Sequence, residues 1–274
     1  MEFATVLTKV RETRPLVQCI TNFVTVNDCA NIILASGGSP TMAEHPLEVE
    51  EAVSQVQALV CNMGAADKVE SMILAGKQAN RLGKRVVLDP VGCGGTQLRR
   101  NIAKRLLEEV HFTVIRGNAS EIRHLAGQSA TGSGVDVRAL DEITEENLSS
   151  AVAMAEELAQ NRNSVIAISG KLDVITDGSR TCILRNGCAT MARVTGSGCM
   201  LTALIGAFCG SWDNPFAAAC AAMAAMGVSG EIAEEKRIRN GTGNSTFRSD
   251  LIDAVFNLTP EQLTQGVRYE QYQK

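Results

Sequence analysis

Short apolar runs alternate along the first two thirds of the chain with longer segments whose apolar positions recur every three or four residues. The runs are Leu16–Ile20, Ala58–Met63, Arg85–Asp89, Phe112–Arg116 and Ser164–Ile168, the first followed by Thr21-Asn22 and the others closed by Gly, Pro or Ser. Runs of that length, so bounded, read as buried strands. Ser39–Met42 reads as a further short strand. The periodic segments predict helices from Val26 to Leu34 (closed by Gly37-Gly38), from Pro46 to about Gln57, over 66–82 and 97–109, around Glu121 and Ile122, and over 144–160. Strands apolar on both faces, alternating with helices, predict an α/β fold. The expected architecture is a three-layer α/β/α sandwich with a mostly parallel central sheet.

Later segments add detail. Leu172–Thr176 and Thr181–Leu184 flank Asp177-Gly178 and predict a small antiparallel hairpin at the sheet edge. Residues 127–140 are rich in Gly, Ser and Thr and read as a loop or lid. From Ser197 the chain is mostly helical, with final helices near 245–256 and 260–269. There is no internal linker and no repeat, so a single domain over residues 1–274 is expected. The block Gly196–Gly230 carries one charge, Asp213. The turn Gly210–Pro215 divides it, so neither part is expected to reach the ~18 apolar residues of a membrane span. Two buried helices fit it better. The N-terminal residues lack the apolar run of a secretory leader.

Composition narrows the function classes. Hydrophobic residues make up 45% of the chain but aromatics only 4%, so aliphatic side chains must fill the core, which suits helices laid closely on a sheet. Net charge is −4 and no long basic tract occurs, so neither nucleic acid nor an anionic membrane is the expected partner. A local anion site needs no net charge, because backbone N–H groups supply it. The nine cysteines form no CxxC pair. That argues for a reducing, cytoplasmic setting and against a structural tetrahedral metal.

In such sheets ligands bind beyond the carboxyl ends of the strands. Those ends carry Asn62, Asp89, Arg116 with Asn118, and Ser169 with Gly170. Asp89 is placed either to hold a metal-bound water or a substrate hydroxyl, or to cap a turn. The Arg116 fork suits a phosphate; its alternative is a buried ion pair with Glu121. Glu121 in turn suits Mg²⁺, which takes carboxylates together with phosphates. The run Gly196-Ser197-Gly198-Cys199 opens a helix. Its glycines let backbone N–H groups approach a ligand, and its first turn favours a thiolate at Cys199. His45, His111 and His124 are weakly placed. The HExxH, GxxxxGK[ST] and GxSxG motifs are absent from the sequence, and Gly92-Cys93-Gly94-Gly95 lacks the GxGxxG spacing. An arginine, two carboxylates and a glycine-lined helix start suit phosphoryl transfer to a small alcohol, with Cys199 positioned to take the hydroxyl proton late.

Beyond these residues, the chain resembles the hydroxyethylthiazole kinase family of thiamine salvage, within the ribokinase-like superfamily. The resemblance runs from Pro15 to about Pro260 and includes PLVQCITNFVTVNDCANIILASGGSPTMAEHP, NMG, VVLDPVGCGGT, IRGNASEI, SGKLDVITDG, NG and VTGSGCMLTALIGAF. It implies a ribokinase-like fold and a homotrimer with active sites shared between neighbouring subunits. It also implies ATP- and Mg²⁺-dependent phosphorylation of 4-methyl-5-(2-hydroxyethyl)thiazole. By resemblance, Asn22, Val24, Met42 and Gly196 line the thiazole pocket, and Arg116 and Ser169 match nucleotide-binding positions. Asp89 and Glu121 match the acidic residues near metal and phosphates, and Gly196 to Gly198 match the anion hole. Cys199 stands where most ribokinase-like kinases carry an aspartate base. Departures from the family pattern are Ser169 and Ser197 for threonine, Cys93-Gly94-Gly95 for Ala-Gly-Ala, and Phe23 for glutamate. The rival expectations are a kinase for a hydroxymethylpyrimidine- or pyridoxal-type alcohol, chemistry with Cys199 as covalent nucleophile, and a thiazole-binding protein without turnover.

Overall fold

A computed structural model describes residues 1–127 and 142–273. Apart from Gly127, the loop or lid expected over 127–140 lies outside the described residues. Among the described residues nine strands form one sheet in the order β2-β1-β3-β4-β5-β6-β7-β8-β9. The parallel part comprises β1 (Leu16–Ile20), β2 (Ser39–Thr41), β3 (Ala58–Asn62), β4 (Arg85–Asp89), β5 (Val114–Asn118) and β6 (Val165–Ser169). The strands β7 (Asp173–Thr176), β8 (Thr181–Leu184) and β9 (Tyr269–Tyr272) are added antiparallel.

The hairpin β7–β8 is therefore not the edge, as the sequence reading expected. The C-terminal strand β9 covers it. Tyr269-Glu270-Gln271-Tyr272 has no apolar run, because an edge strand packs little of its surface, and so it gave no strand signal. A first helix, α1 (Phe3–Thr13), was also not anticipated. It buries Phe3, Val6, Leu7 and Val10 along one stripe, and ends where Arg14 turns left-handed before Pro15.

The period-two alternation of the strands sorts side chains into two cores. Val17, Cys19, Ala58, Val60 and Val87 face one layer of helices. These are α1, α2 (Val26–Ser36), α8 (Ser197–Ser211), α9 (Pro215–Asn240), α10 (Asn244–Asn257) and α11 (Pro260–Gly266). Leu59, Cys61, Val86, Leu88 and Ile115 face the other layer, formed by α3 (Val49–Gln55), α4 (Val69–Arg81), α5 (Gln97–Glu109), α6 (Ala119–Leu125) and α7 (Leu148–Arg162). The three layers and the mostly parallel sheet are those the hydrophobic pattern predicts.

Two features aim the carboxyl ends at one place. The chain leaves β1 for β2 on one side and returns to β3 on the other, so β1 and β3 flank a topological switch point. Helix α8 then runs directly over β1, β3 and β4. A Cβ on Gly206 would lie 2.5 Å from Val60 Cγ2, so a glycine there lets the helix settle onto the sheet. The next helix, α9, is longer than expected. Gly227 and Gly230 do not end it, and it continues through charged residues to Asn240. By length and composition alone it is the one helix among the described residues that reaches membrane-span dimensions. However, 83% of its apolar window is buried inside the protein, which makes it a core helix.

Candidate active site

The site is built from the ends of five strands, β1 and β3 to β6, and the start of α8. Asp89 ends β4 and is 1% exposed. Its Oδ2 accepts hydrogen bonds from Asn62 Nδ2 at 3.0 Å and Thr202 Oγ1 at 2.8 Å, while Arg116 Nη1 stands 3.7 Å away. Its Oδ1 is buried without a partner. Burial pushes the carboxyl up to about 6. Arg116 and the Thr202 hydroxyl oppose that shift, and Glu121 adds to it.

Arg116 projects from β5 and is buried. It pairs with Asp89 rather than with Glu121, and its Nη2 donates to Ser169 Oγ at the end of β6. Its Nε is buried and unpartnered. The guanidinium passes against the first turn of α8, where a Cβ on Gly198 would lie 2.6 Å from Nη1.

Gly196 caps α8 at φ 84°, and a Cβ there would meet Thr25 Cγ2 at 2.3 Å. The left-handed backbone and the close approach both require glycine. The Met200 N–H closes onto the Gly196 carbonyl, and the Ser197 N–H is taken by the Val194 carbonyl. No side chain caps this helix. Helix geometry then leaves the N–H groups of Gly198 and Cys199 without an intrahelical acceptor. The anion-binding donors expected of the glycine turn are thus two, adjacent to Arg116.

Cys199 lies in the same turn and is partly buried. Asn22 Nδ2 donates to its Sγ at 3.6 Å. Contrary to the expected lowering, burial pushes this thiol up and Asp89 pushes it further. Hydrogen bonds from Thr25, Asn62 and Asn22 pull it part of the way back. Cys199 is therefore a neutral thiol at pH 7.

Asn22, just beyond β1, links these parts. Its Oδ1 accepts the Val24 N–H at 3.1 Å, and its Nδ2 also reaches Asn62 Oδ1 at 3.4 Å. A Cβ on Gly64 would lie 2.6 Å from Asn62 Oδ1 and 2.7 Å from Asn22 Nδ2, which is why the run Asn62-Met63-Gly64 ends in glycine. Val24 and Phe23 are 56% and 90% exposed, while Met42 packs partly buried against the core.

Asn118 and Glu121 are already occupied. They form the capping box of α6: Asn118 Oδ1 accepts the Glu121 N–H at 2.8 Å, and Glu121 Oε2 accepts the Asn118 N–H at 2.9 Å. Glu121 Oε1 accepts the Gly92 N–H at 2.9 Å and so holds the loop after Asp89. Among the described residues no three acidic, His or Cys side chains converge into a metal cage. Asp89 and Glu121 still suit Mg²⁺, which takes one or two carboxylates together with phosphate oxygens and water. A cation there would relieve the unpartnered Asp89 Oδ1 and the repulsion between the two carboxylates.

Beside Arg116, Ser169, Ser197 and Gly198 opens a cavity of about 1010 Å³. It extends past Asp173 to the loop 186–188 after β8. Several working parts escaped the sequence reading. Thr202 lies three residues beyond Cys199 on the same helix face, a spacing that signals it. Thr25 and Arg99 gave no signal. Arg99 Nη1 donates to the Met63 and Val91 carbonyls at 3.0 and 2.9 Å and ties the loops after β3 and β4 together. Asp173 is buried and pushed up to about 7 by that burial, against the Gly170 N–H and Arg116.

A mostly parallel sheet with a glycine-lined helix start beside a buried arginine and a large cavity is the architecture of the ribokinase-like kinases. Residues 7–261 match the family model described as hydroxyethylthiazole kinase family. The hydroxyethylthiazole kinase of Clostridium acetobutylicum is 46% identical over 97% of this chain and 98% of its own. That of Clostridium botulinum is 49% identical over 91% of this chain and 89% of its own. The solved hydroxyethylthiazole kinase structure from Pyrococcus horikoshii superimposes with a TM-score of 0.87 at 33% identity, covering 99% of both chains. A Bacillus subtilis pyridoxal kinase in complex with ADP shares the fold at TM-score 0.58 and 17% identity, over 78% of this chain and 90% of its own. The chain belongs to the hydroxyethylthiazole kinase family.

Proposed function

We propose that the protein transfers the terminal phosphoryl group of ATP to the hydroxyl of 4-methyl-5-(2-hydroxyethyl)thiazole, giving the thiazole phosphate used for thiamine. The observation that carries this is the pair of free N–H groups at Gly198 and Cys199 beside the buried Arg116, at the mouth of a cavity of about 1010 Å³. That volume suits a nucleotide. Family membership supplies the acceptor alcohol.

In this reading the nucleotide lies along Ser169, Arg116 and the 186–188 loop, with its terminal phosphate over the start of α8. The thiazole lies against Asn22, Val24, Met42 and Gly196, with its hydroxyl near Cys199. The alcohol oxygen forms a bond to the γ-phosphorus as the bond to ADP breaks, and the alcohol proton leaves late. Gly198 and Cys199 N–H groups receive the charge that develops on the transferred group, as does Arg116. Asp89 and Glu121 would hold Mg²⁺, which when bound would neutralise part of the polyphosphate charge. Asp89, with its carboxyl at about 6, is ionised at neutral pH and keeps Arg116, Asn62 and Thr202 in register. The neutral Cys199 thiol positions the hydroxyl; where it has released its own proton to solvent, the thiolate accepts the hydroxyl proton late in the transfer.

The exposed Phe23 and Val24 flank the proposed thiazole wall, which fits closure by a second copy and a homotrimer with shared sites. We assign residues 1–274 to one ribokinase-like domain acting in the cytoplasm, with no nucleic-acid or membrane partner. A panel of hydroxyethylthiazole, hydroxymethylpyrimidine and pyridoxal with ATP tests the reading. ADP release dependent on the thiazole, with thiazole phosphate seen by mass spectrometry, is the expected result. Preference for another alcohol contradicts it, as does thiazole binding without turnover.

A further inference from the structure

Asp173 opens β7, lines the cavity that holds Arg116, and is buried. It belongs to neither the phosphate donors nor the thiazole wall. Its Oδ1 accepts the Gly170 N–H at 2.9 Å and closes a tight turn over 170–173. Gly170 directly follows Ser169, whose Oγ accepts from Arg116 Nη2. A chain of contacts thus runs from Asp173 through Gly170 and Ser169 to the guanidinium. The Arg116 charge also opposes, more weakly than the Gly170 N–H, the rise that burial imposes on the Asp173 carboxyl.

A structural turn needs no buried carboxylate. Surface turns are closed by exposed polar side chains at little cost, whereas burying a carboxyl in a cavity wall is costly. The neighbouring β7–β8 turn is closed differently and at the surface: Asp177 Oδ1 accepts N–H groups that follow it, those of Ser179 and Arg180, and its Oδ2 takes the Arg180 guanidinium. Asp173 differs in facing the cavity, and in acting on the strand end that holds Arg116.

We propose that Asp173 is a nucleotide-positioning residue: it fixes the Gly170–Ser169 segment so that Ser169 and Arg116 present themselves together to the phosphates of ATP. This rests on the assignment of the cavity to the nucleotide. The thiazole wall at Asn22, Val24 and Met42 shares none of these contacts, so the effect falls on one substrate.

The test is steady-state kinetics of Asp173→Ala, Asp173→Asn and Arg116→Ala, with ATP and hydroxyethylthiazole varied separately. Losing one hydrogen bond to the strand end raises KM for ATP roughly tenfold in Asp173→Ala, while KM for the thiazole stays within about twofold. The amide oxygen introduced by Asp173→Asn still accepts the Gly170 N–H and restores KM for ATP to within about threefold of wild type. Should Asp173→Ala fail to fold, Asp173→Ser, too short to reach Gly170, carries the same expectation. A normal KM for ATP in Asp173→Ala or Asp173→Ser overturns the proposal, as does an equal rise in both KM values. If Arg116→Ala also leaves KM for ATP unchanged, the nucleotide assignment itself has failed. If Arg116→Ala raises it and Asp173→Ala does not, only the role of Asp173 has.

Discussion

Gly198 and Arg116 share one volume: a Cβ at residue 198 would stand 2.6 Å from the Arg116 Nη1. The helix start and the guanidinium are thereby held side by side, and neither moves without the other. Gly198→Ala disturbs both. Alanine gains little in the first turn of a helix, while pushing the buried Arg116 off Asp89 and Ser169 is costly, so the melting temperature is expected to fall. Displacement of Arg116 lowers kcat/KM for ATP by roughly 10- to 100-fold. Thermal denaturation beside steady-state kinetics checks both. A fall in stability with unchanged kinetics counts against the shared-volume account.

Gly196 behaves differently, because its constraint is backbone strain as well as contact. At φ 84° and with Thr25 Cγ2 at 2.3 Å from an added Cβ, Gly196→Ala is expected to destabilise the protein by about 1–3 kcal/mol and to displace the start of α8. Chemical denaturation measures this. Paired with Thr25→Ala, the contact part of the loss is recovered and the strain part remains.

How much of this was legible before the structure depends on what each element packs against. Strands β1 and β3 to β6 announce themselves because both faces are buried, so most of their interior positions are apolar, Gln18 and Arg116 aside. Edge strand β9 and helix α1 did not. The strand is polar, and only four residues of the helix show a stripe. Arg116 and the glycine turn were legible because a charge in an apolar strand and glycines before an apolar helix are both costly without a purpose. The fate of Glu121 was not legible. A capping box and a metal ligand call for the same carboxylate in the same place, and only the Gly92 and Asn118 N–H groups show how it is held. The Cys199 titration was misjudged because sequence shows the helix terminus but not the burial or the neighbouring Asp89.

Cys199 yields a graded series. With its thiol pushed up by burial and by Asp89, it alkylates slowly at pH 7.5 compared with an exposed thiol, and iodoacetamide labelling read by mass spectrometry shows this. Cys199→Asp is expected to keep or raise turnover, and Cys199→Ala to lower it. Unchanged turnover in the alanine variant shows that the thiol does not take the hydroxyl proton.

Asp89 couples activity to pH in one direction and stability in the other. Its carboxyl is raised from 3.8 to about 6 on folding. The folded state therefore binds the proton more tightly, so its contribution favours folding below pH 4 and is lost as pH rises through 6. The ionised form costs up to about 3 kcal/mol at pH 7. Asp89→Asn is expected to unfold at higher denaturant than wild type at pH 7, with the difference vanishing near pH 4. Activity runs the other way: wild-type kcat/KM falls below about pH 6 as the carboxylate protonates, and Asp89→Asn is nearly inactive throughout. Denaturant curves and rate profiles over pH 4–8 test both signs.

The most direct measurement is a crystal structure of the protein with hydroxyethylthiazole and a non-hydrolysable ATP analogue. The account predicts the terminal phosphate on the Gly198 and Cys199 N–H groups with Arg116 against it, and the thiazole hydroxyl between that phosphate and the Cys199 thiol. Phosphates seated away from Arg116 and residues 196–199, or a hydroxyl turned from Cys199, contradict it.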